Sequence, residues 1–329
     1  MSDSRFYGNE AAQKLLARTL ESKRLGHAYL FYGNDGLGKK TFAQLFAKSV
    51  MCKGPSYACG ECSACRKIDA GIHPDVKWYL GGAAKGSVHI ETIREIRSDC
   101  AVKPNESQWK IYIITNIQNM TTGAFNAFLK TLEEPPQDVL FLLTAPNLAS
   151  VPETIVSRVI PVQLYPLPLS VMEQALQDRF PDAEPSRRTE AAKLAQGNLG
   201  YGIQILTEEG FAARMEELKQ VCTAVSMKKE YELLVLFGRY EKDKPGLGAL
   251  LEQLIGVLRE SLLEKAGVAS DTSQVGQMAH QLAVSLTRLQ IMELIQFLEQ
   301  GCGKLETNSH GGMMAAYLCA GIYQRILFS

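Results

Sequence analysis

The chain has 329 residues, room for two or three domains, and 46% of them are hydrophobic, enough to fill packed cores. Its 35 basic residues balance 35 acidic ones. Bulk charge therefore argues against general nucleic-acid binding and leaves only a local basic patch open. No apolar run approaches the roughly 18 residues of a membrane span, so no membrane partner is expected. Met1 to Phe6 lacks the apolar core of a signal peptide. The expected location is the cytoplasm, where thiols stay reduced.

In chain order, residues about 9–22 read as a helix with Asn9 as its N-cap. The apolar run 28–32 reads as a buried strand. Gly33-Asn-Asp-Gly36-Leu-Gly38-Lys39-Lys40-Thr41 follows and opens a helix over about 39–51. That strand–loop–helix setting is the one a Walker A phosphate loop needs. Its backbone N–H groups would cradle phosphate oxygens, and Lys39 would add a point charge. The residue after that lysine should carry the hydroxyl that holds Mg²⁺. Lys40 stands there instead, and Thr41 lies about 100° further round the helix. Weak or no nucleotide binding is expected of Gly33, Gly36, Gly38, Lys39, Lys40 and Thr41, with binding without turnover as the alternative.

Cys52, Cys59, Cys62 and Cys65 come next, spaced C-x6-C-x2-C-x2-C. In a reducing compartment four such thiols read as a closed, structural zinc site. Gly54, Pro55, Gly60 and Ser63 suit the turns that would wrap the ion. An iron–sulfur cluster is the alternative, but the C-x3-C-P completion of a ferredoxin run is missing. Unconnected small apolar residues are the bland reading, and burial alone rarely gathers cysteines in such a loop. Cys100, Cys222, Cys302 and Cys319 are scattered and read as core residues. His73-Pro74-Asp75 could suggest a metal or acid–base site, but a turn into a strand over 76–80 is the preferred reading.

A helix is expected from Ile90 to Val102, with Ile90, Ile93, Ile96 and Cys100 on one face. The run 110–114 reads as a buried parallel strand. An ATPase needs an acid at the end of such a strand to hold Mg²⁺. The chain continues Thr115-Asn116-Ile117-Gln118-Asn119, without a carboxylate. Thr121 or Thr122 can cap a helix striped by Phe125, Phe128, Leu129 and Leu132, which Pro135-Pro136 ends. Glu133 and Glu134 near that end read as structural. Further strands are expected at 139–144 and 160–164. Alternating strands and helices imply a doubly wound α/β domain ending near residue 165. Beyond Pro166-Leu-Pro168 only helical patterns follow. A small helical unit fits 169–208 and a larger one 212–329, with apolar helical spacing over Leu254–Leu263, Leu282–Leu298 and Met313–Leu327.

Together these segments resemble the bacterial clamp-loader AAA+ proteins. The resemblance is carried by His27-Ala-Tyr-Leu-Phe31, the four-cysteine module, Gly71-Ile-His73-Pro74-Asp75, Leu129-Lys-Thr-Leu-Glu-Glu-Pro-Pro136 and Ser157-Arg158-Val159. It covers residues 1–210 well and the remainder loosely. It implies an AAA+ domain with a RecA-like parallel sheet over 1–166 and its zinc module at 52–65. A helical lid over 167–210 and an all-helical collar over 211–329 would follow. The family's ATP-hydrolysing tau/gamma subunits look like an intact Walker A, an Asp-Glu Walker B and a Gly-Ser-Leu-Arg sensor. This chain has Lys40, Thr115-Asn116 and Gly197-Asn198-Leu199-Gly200. The resemblance therefore implies a subunit that does not hydrolyse ATP. Its implied partners are the tau/gamma and delta subunits and, through the complex, the sliding clamp and primed DNA. Ser157-Arg158 matches the family's Ser-Arg-Cys motif, which makes Arg158 an arginine finger acting in trans. A surface or salt-bridged arginine at a helix end is the plainer reading. Two rival functions remain. One is a divergent ATPase that draws its acid from Asp138 or Glu91. The other is a stand-alone zinc-containing nucleic-acid binder, which the neutral charge disfavours.

Overall fold

The computed structural model describes residues 6–22, 24–81, 88–207, 210–268, 273–305 and 311–328. The chain divides into two compact units, Met1–Val171 and Met172–Ser329. The first is α/β and carries, in order, α1 (Glu10–Glu21), β1 (Ala28–Tyr32), α2 (Lys39–Met51), α3 (Ser63–Asp69), β2 (Val76–Leu80), α4 (Ile90–Cys100), β3 (Lys110–Thr115), α5 (Thr122–Glu133), β4 (Val139–Ala145), α6 (Glu153–Val156) and β5 (Ile160–Gln163). All five strands are parallel in the order β2-β3-β4-β1-β5. Every residue of β3 and β4 is buried, as a sheet covered on both faces requires.

Alternation along the strands sorts the two cores. Tyr29, Phe31, Ile111, Ile113, Leu140 and Leu142 face Phe42 and Phe46 of α2 and Leu16 of α1. Leu30, Tyr112, Ile114, Phe141 and Leu143 face Ile93 and Ile96 of α4 and Phe128 and Leu132 of α5. Edge-to-face rings, Phe31 on Phe42 and Phe128 on Phe141, pin one helix to each face. The expected strands and helices of this unit are present, with ends shifted by one or two residues. The helix begun at Ile90 stops at Cys100, short of Val102. Thr121 is the cap of α5, its hydroxyl accepting from the Ala124 N–H at 3.2 Å.

Asn9 precedes α1 as expected but does not cap it with its side chain. It adopts a left-handed conformation, φ 51°. Its amide pairs instead with the Tyr165 backbone, accepting from the N–H at 2.7 Å and donating to the carbonyl at 3.1 Å. That long-range pair competes with the local cap and wins it.

The second unit continues from α7 (Leu169–Arg179), which straddles the division, through α8 (Pro185–Ala195), α9 (Leu199–Thr207), α10 (Phe211–Ser226), α11 (Glu230–Gly238), α12 (Lys244–Lys265), α13 (Gln274–Ser285), α14 (Arg288–Leu305) and α15 (Gly311–Phe328). No strand occurs here among the described residues. Helix α12 is its centre, burying Leu247, Leu250, Leu251, Leu254 and Leu258. The continuous helical spacing expected over Leu282–Leu298 is broken. Leu286 is extended, and Thr287 and Gln290 form a reciprocal cap: the Thr287 N–H donates to Oε1 of Gln290 at 2.9 Å, and the Gln290 N–H to Oγ1 of Thr287 at 3.1 Å. A new helix start overrides an unbroken apolar period there.

Candidate functional site

The sheet's C-terminal edge is built around the loop Gly33–Gly38, which leaves β1 and enters α2. This is where a doubly wound sheet opens its binding crevice. Gly33 has φ 146°, and a Cβ on it would meet the Leu164 carbonyl oxygen at 2.5 Å. The fold itself therefore demands glycine there, with or without a nucleotide. Lys39 is buried, and its ammonium donates to the Gly33 carbonyl at 2.6 Å, the Asn34 carbonyl at 2.9 Å and Oδ1 of Asp35 at 2.9 Å. Three acceptors match the three protons that an ammonium carries. The lysine that should meet phosphate is thus held by its own loop. Lys40 and Thr41 are both exposed on the first turn of α2.

Around this loop the strand ends offer no other carboxylate. β2 runs into Gly81, β3 into Thr115-Asn116, β4 into Ala145-Pro146-Asn147 and β5 into Gln163-Leu164. Thr115 is fully buried. Asn116 is left-handed, φ 52°, and its N–H donates to Oγ1 of Thr144 at 3.0 Å. Asn116 and Thr144 close the edge with a neutral hydrogen bond where Mg²⁺ would need an acid. Neither alternative acid is brought in. Asp138 precedes β4 at the far edge of the sheet, whereas Tyr32, the last residue before the loop, pairs with Ala145. Seven residues of strand separate them, about 23 Å. Glu91 belongs to α4, which packs on the face opposite α2. Gly200, which the resemblance sets at the sensor position, lies in α9.

The cysteine module follows α2 directly. The four Sγ atoms lie within 4.8 Å of one another, and those of Cys52 and Cys62 are 4.0 Å apart. Four thiolates around one ion at about 2.3 Å would have edges of about 3.8 Å, so the quartet fits a tetrahedral metal. Backbone N–H groups of Gly54 and Cys59 point to Cys52 Sγ, that of Cys62 to Cys59 Sγ, and that of Cys65 to Cys62 Sγ, at 3.3–3.5 Å. Gly54 is needed for the close wrap, since a Cβ would meet Cys59 Sγ at 2.6 Å. The N–H of Cys62 lowers the Cys59 pKa. Burial works against the Cys62 thiolate, but the N–H groups of Cys65 and Lys53, together with the thiols of Cys65 and Cys59, outweigh it and bring the pKa to about 6. Burial pushes Cys65 well up. The expected loop of turns also contains a helix, α3, with Cys62 at its N-cap.

His73-Pro74-Asp75 is the turn into β2 that the preferred reading expected. Asp75 is buried and accepts five hydrogen bonds: from the backbone N–H groups of Asn105, Glu106 and Ser107, the Asn105 amide and the Ser107 hydroxyl, at 2.6–3.1 Å. His73 Nδ1 accepts from the Asp75 N–H at 3.1 Å. Glu106, so placed, accepts from Lys67 at 2.5 Å, and its carbonyl from Lys53 at 3.2 Å. Asp75 therefore anchors the loop to which the cysteine module is tied.

Arg158 lies just past α6. Its Nη1 donates to the Thr154 carbonyl at 2.9 Å and to the Ser157 hydroxyl at 3.2 Å, and its Nη2 pairs with Oε1 of Glu133 at 2.8 Å. Its side chain keeps 35% of its surface open. Val159 is buried and fixes the backbone there. The salt-bridged helix-end arginine and the solvent-reachable guanidinium are thus the same residue. Sequence reasoning missed two partners, Asp35 for Lys39 and Glu133 for Arg158. The first lies four residues away in a loop that is not helical, so helix spacing gave no signal for it; the second joins residues 25 apart and gave no local signal either.

Fold and loop together define a parallel α/β protein whose first strand–helix loop carries the glycine pattern of a phosphate-binding loop. Residues 8–168 match the family described as DNA polymerase III, delta subunit. The chain is 35% identical over 212 residues to the DNA polymerase III subunit tau/gamma of Haemophilus influenzae, covering 62% of this chain and 30% of that one. It is 28% identical over 334 residues to subunit tau of Bacillus subtilis, covering 92% and 58%. It is 28% identical over 260 residues to subunit delta' of Bacillus subtilis, covering 77% of each. The chain thus spans between about a third and three fifths of those two tau-type relatives. Over residues 8–168 and across these relatives, the chain is similar to clamp-loader subunits of DNA polymerase III. Among its described residues no helix is long and apolar enough to cross a membrane.

Proposed function

We propose that this chain is a delta-prime subunit of a DNA polymerase III clamp loader, an AAA+ subunit that does not hydrolyse ATP. The observation that carries the reading is the P-loop: Lys39 is saturated by its own loop, and the strand ends around it offer no acid for Mg²⁺. The delta' relative, matched over 77% of both chains, supports the choice of subunit. In this reading 1–166 is the AAA+ domain, 167–210 a lid and 211–329 a collar that joins tau/gamma and delta subunits in the cytoplasm. The assembly loads a sliding clamp onto primed DNA.

The chemistry left to this chain is electrostatic. Arg158 would face the ATP site of a neighbouring tau/gamma subunit and stabilise the charge that develops on the transferred phosphoryl group. The Cys52, Cys59, Cys62 and Cys65 thiolates would hold one Zn²⁺, which would stiffen the segment between α2 and β2. With all four positions filled by protein, such a site is structural.

The test is direct. The purified chain should turn over no ATP above background, and when used as bait it should retain tau/gamma and delta from its host. Mg²⁺-dependent turnover that Lys39→Ala abolishes would overturn the reading in favour of a divergent ATPase.

A further inference from the structure

We propose that Glu133 is a positioning residue for Arg158, holding the guanidinium in the pose from which it meets a phosphate on a neighbouring subunit. The proposal rests on the reading of Arg158 as a finger, and it adds a residue that the finger motif does not contain.

Two separate elements hold the arginine. Nη1 is anchored to α6 through the Thr154 carbonyl and to the Ser157 hydroxyl; Nη2 is anchored to the last residue of α5 through Oε1 of Glu133. Anchoring both terminal nitrogens fixes the plane of the fork as well as its position. One anchor alone would leave it free to swing about the other.

Stability gives little reason for the pair. The side chains of Arg158 and Glu133 are 35% and 49% exposed, and ion pairs that exposed contribute little to folding. Glu133 also sits at the C-terminus of α5, the end of a helix that disfavours a carboxylate. What the pair does supply is order. An arginine has many rotamers, and a fork already oriented loses less freedom when it binds. Nη1 spends both of its protons on Thr154 and Ser157, but Nη2 keeps one beyond the one given to Glu133, so phosphate can be met through Nη2 without releasing either anchor.

The experiment uses the reconstituted assembly with ATP-hydrolysing partner subunits, and compares the full chain as wild type, Glu133→Ala, Glu133→Gln, Arg158→Ala and the Ala/Ala double variant at equal occupancy. The readouts are kcat and KM of DNA-stimulated ATPase. Glu133→Ala should remove roughly half or more of the rate that Arg158→Ala removes, mainly in kcat. Glu133→Gln should stay near wild type, because its amide oxygen can accept the same N–H. The double variant should match Arg158→Ala alone. If Arg158→Ala lowers the rate and Glu133→Ala does not, or if Gln is as poor as Ala, the positioning role is wrong while the finger stands. If Glu133→Ala still lowers the rate in the Arg158→Ala background, Glu133 acts elsewhere. An unchanged rate with Arg158→Ala would remove the finger reading itself.

Discussion

Replacing Asp75 by Asn changes one buried carboxylate into an amide of the same shape, and the hydrogen bonds around it set the cost. Oδ1 accepts from the N–H and side-chain amide of Asn105; Oδ2 accepts from the N–H groups of Glu106 and Ser107 and from the Ser107 hydroxyl. Whichever oxygen Asn keeps, its NH₂ faces at least two donors. Losing two bonds to a charged acceptor, at about 1.5–3 kcal/mol each, costs about 3–6 kcal/mol. With a urea m-value of about 2 kcal/mol/M, the midpoint of the first unit should fall by about 2 M. Trp78 and Trp109 are the chain's two tryptophans and both lie in this unit, so their fluorescence follows it in the full chain. The pH dependence has a definite sign. Burial opposes ionisation of Asp75, but the converging donors outweigh it and hold its pKa below the ordinary value. A depressed folded pKa stabilises above the unfolded value, about 3.9, and that stabilisation is lost as pH falls through the folded one. The gap between wild type and Asp75→Asn should therefore be full at pH 7 and narrow below about pH 4. A midpoint unchanged at pH 7, or a gap that widens in acid, would refute the reasoning.

Cys62→Ser should release most of the metal and speed hydrogen exchange of the segment between α2 and β2; elemental analysis of reduced protein finding one zinc per wild-type chain is expected, and finding iron or no metal would contradict it. Lys40→Thr should restore the missing hydroxyl without restoring turnover, because Thr115 and Asn116 still supply no acid; a steady-state ATPase assay with Mg²⁺ checks this, and robust turnover would show that the site lacked only its hydroxyl.

Much of the first unit was legible because its signals are local. Strands β1 and β2 and helix α2 fall where apolar runs, Gly38 and the cysteine loop put them. The absent acid after β3 was plain as Thr115-Asn116. What stayed hidden depends on tertiary contact. Asn9 is a good cap by composition, yet it serves Tyr165, 156 residues away. The break at Leu286 depends on one Thr287–Gln290 cap inside an apolar period that runs on regardless. Glu133 read as a structural residue, and only the return of the chain at α6 gives it Arg158 as a partner. Asp35 was visible in the loop, but its pairing with Lys39 follows from the curl of the loop around its own lysine.

The most direct test of a subunit that lends charge without spending ATP is a clamp-loading assay with Arg158→Ala in the reconstituted assembly. Arg158 sits at the surface with its backbone fixed by buried Val159, so the variant should fold and assemble at normal occupancy. DNA-stimulated ATPase and clamp loading should both fall, and Arg158→Lys should restore them only in part, since an ammonium lacks the planar fork. Unchanged ATPase and loading rates at equal occupancy would contradict the account and leave this chain an architectural role alone.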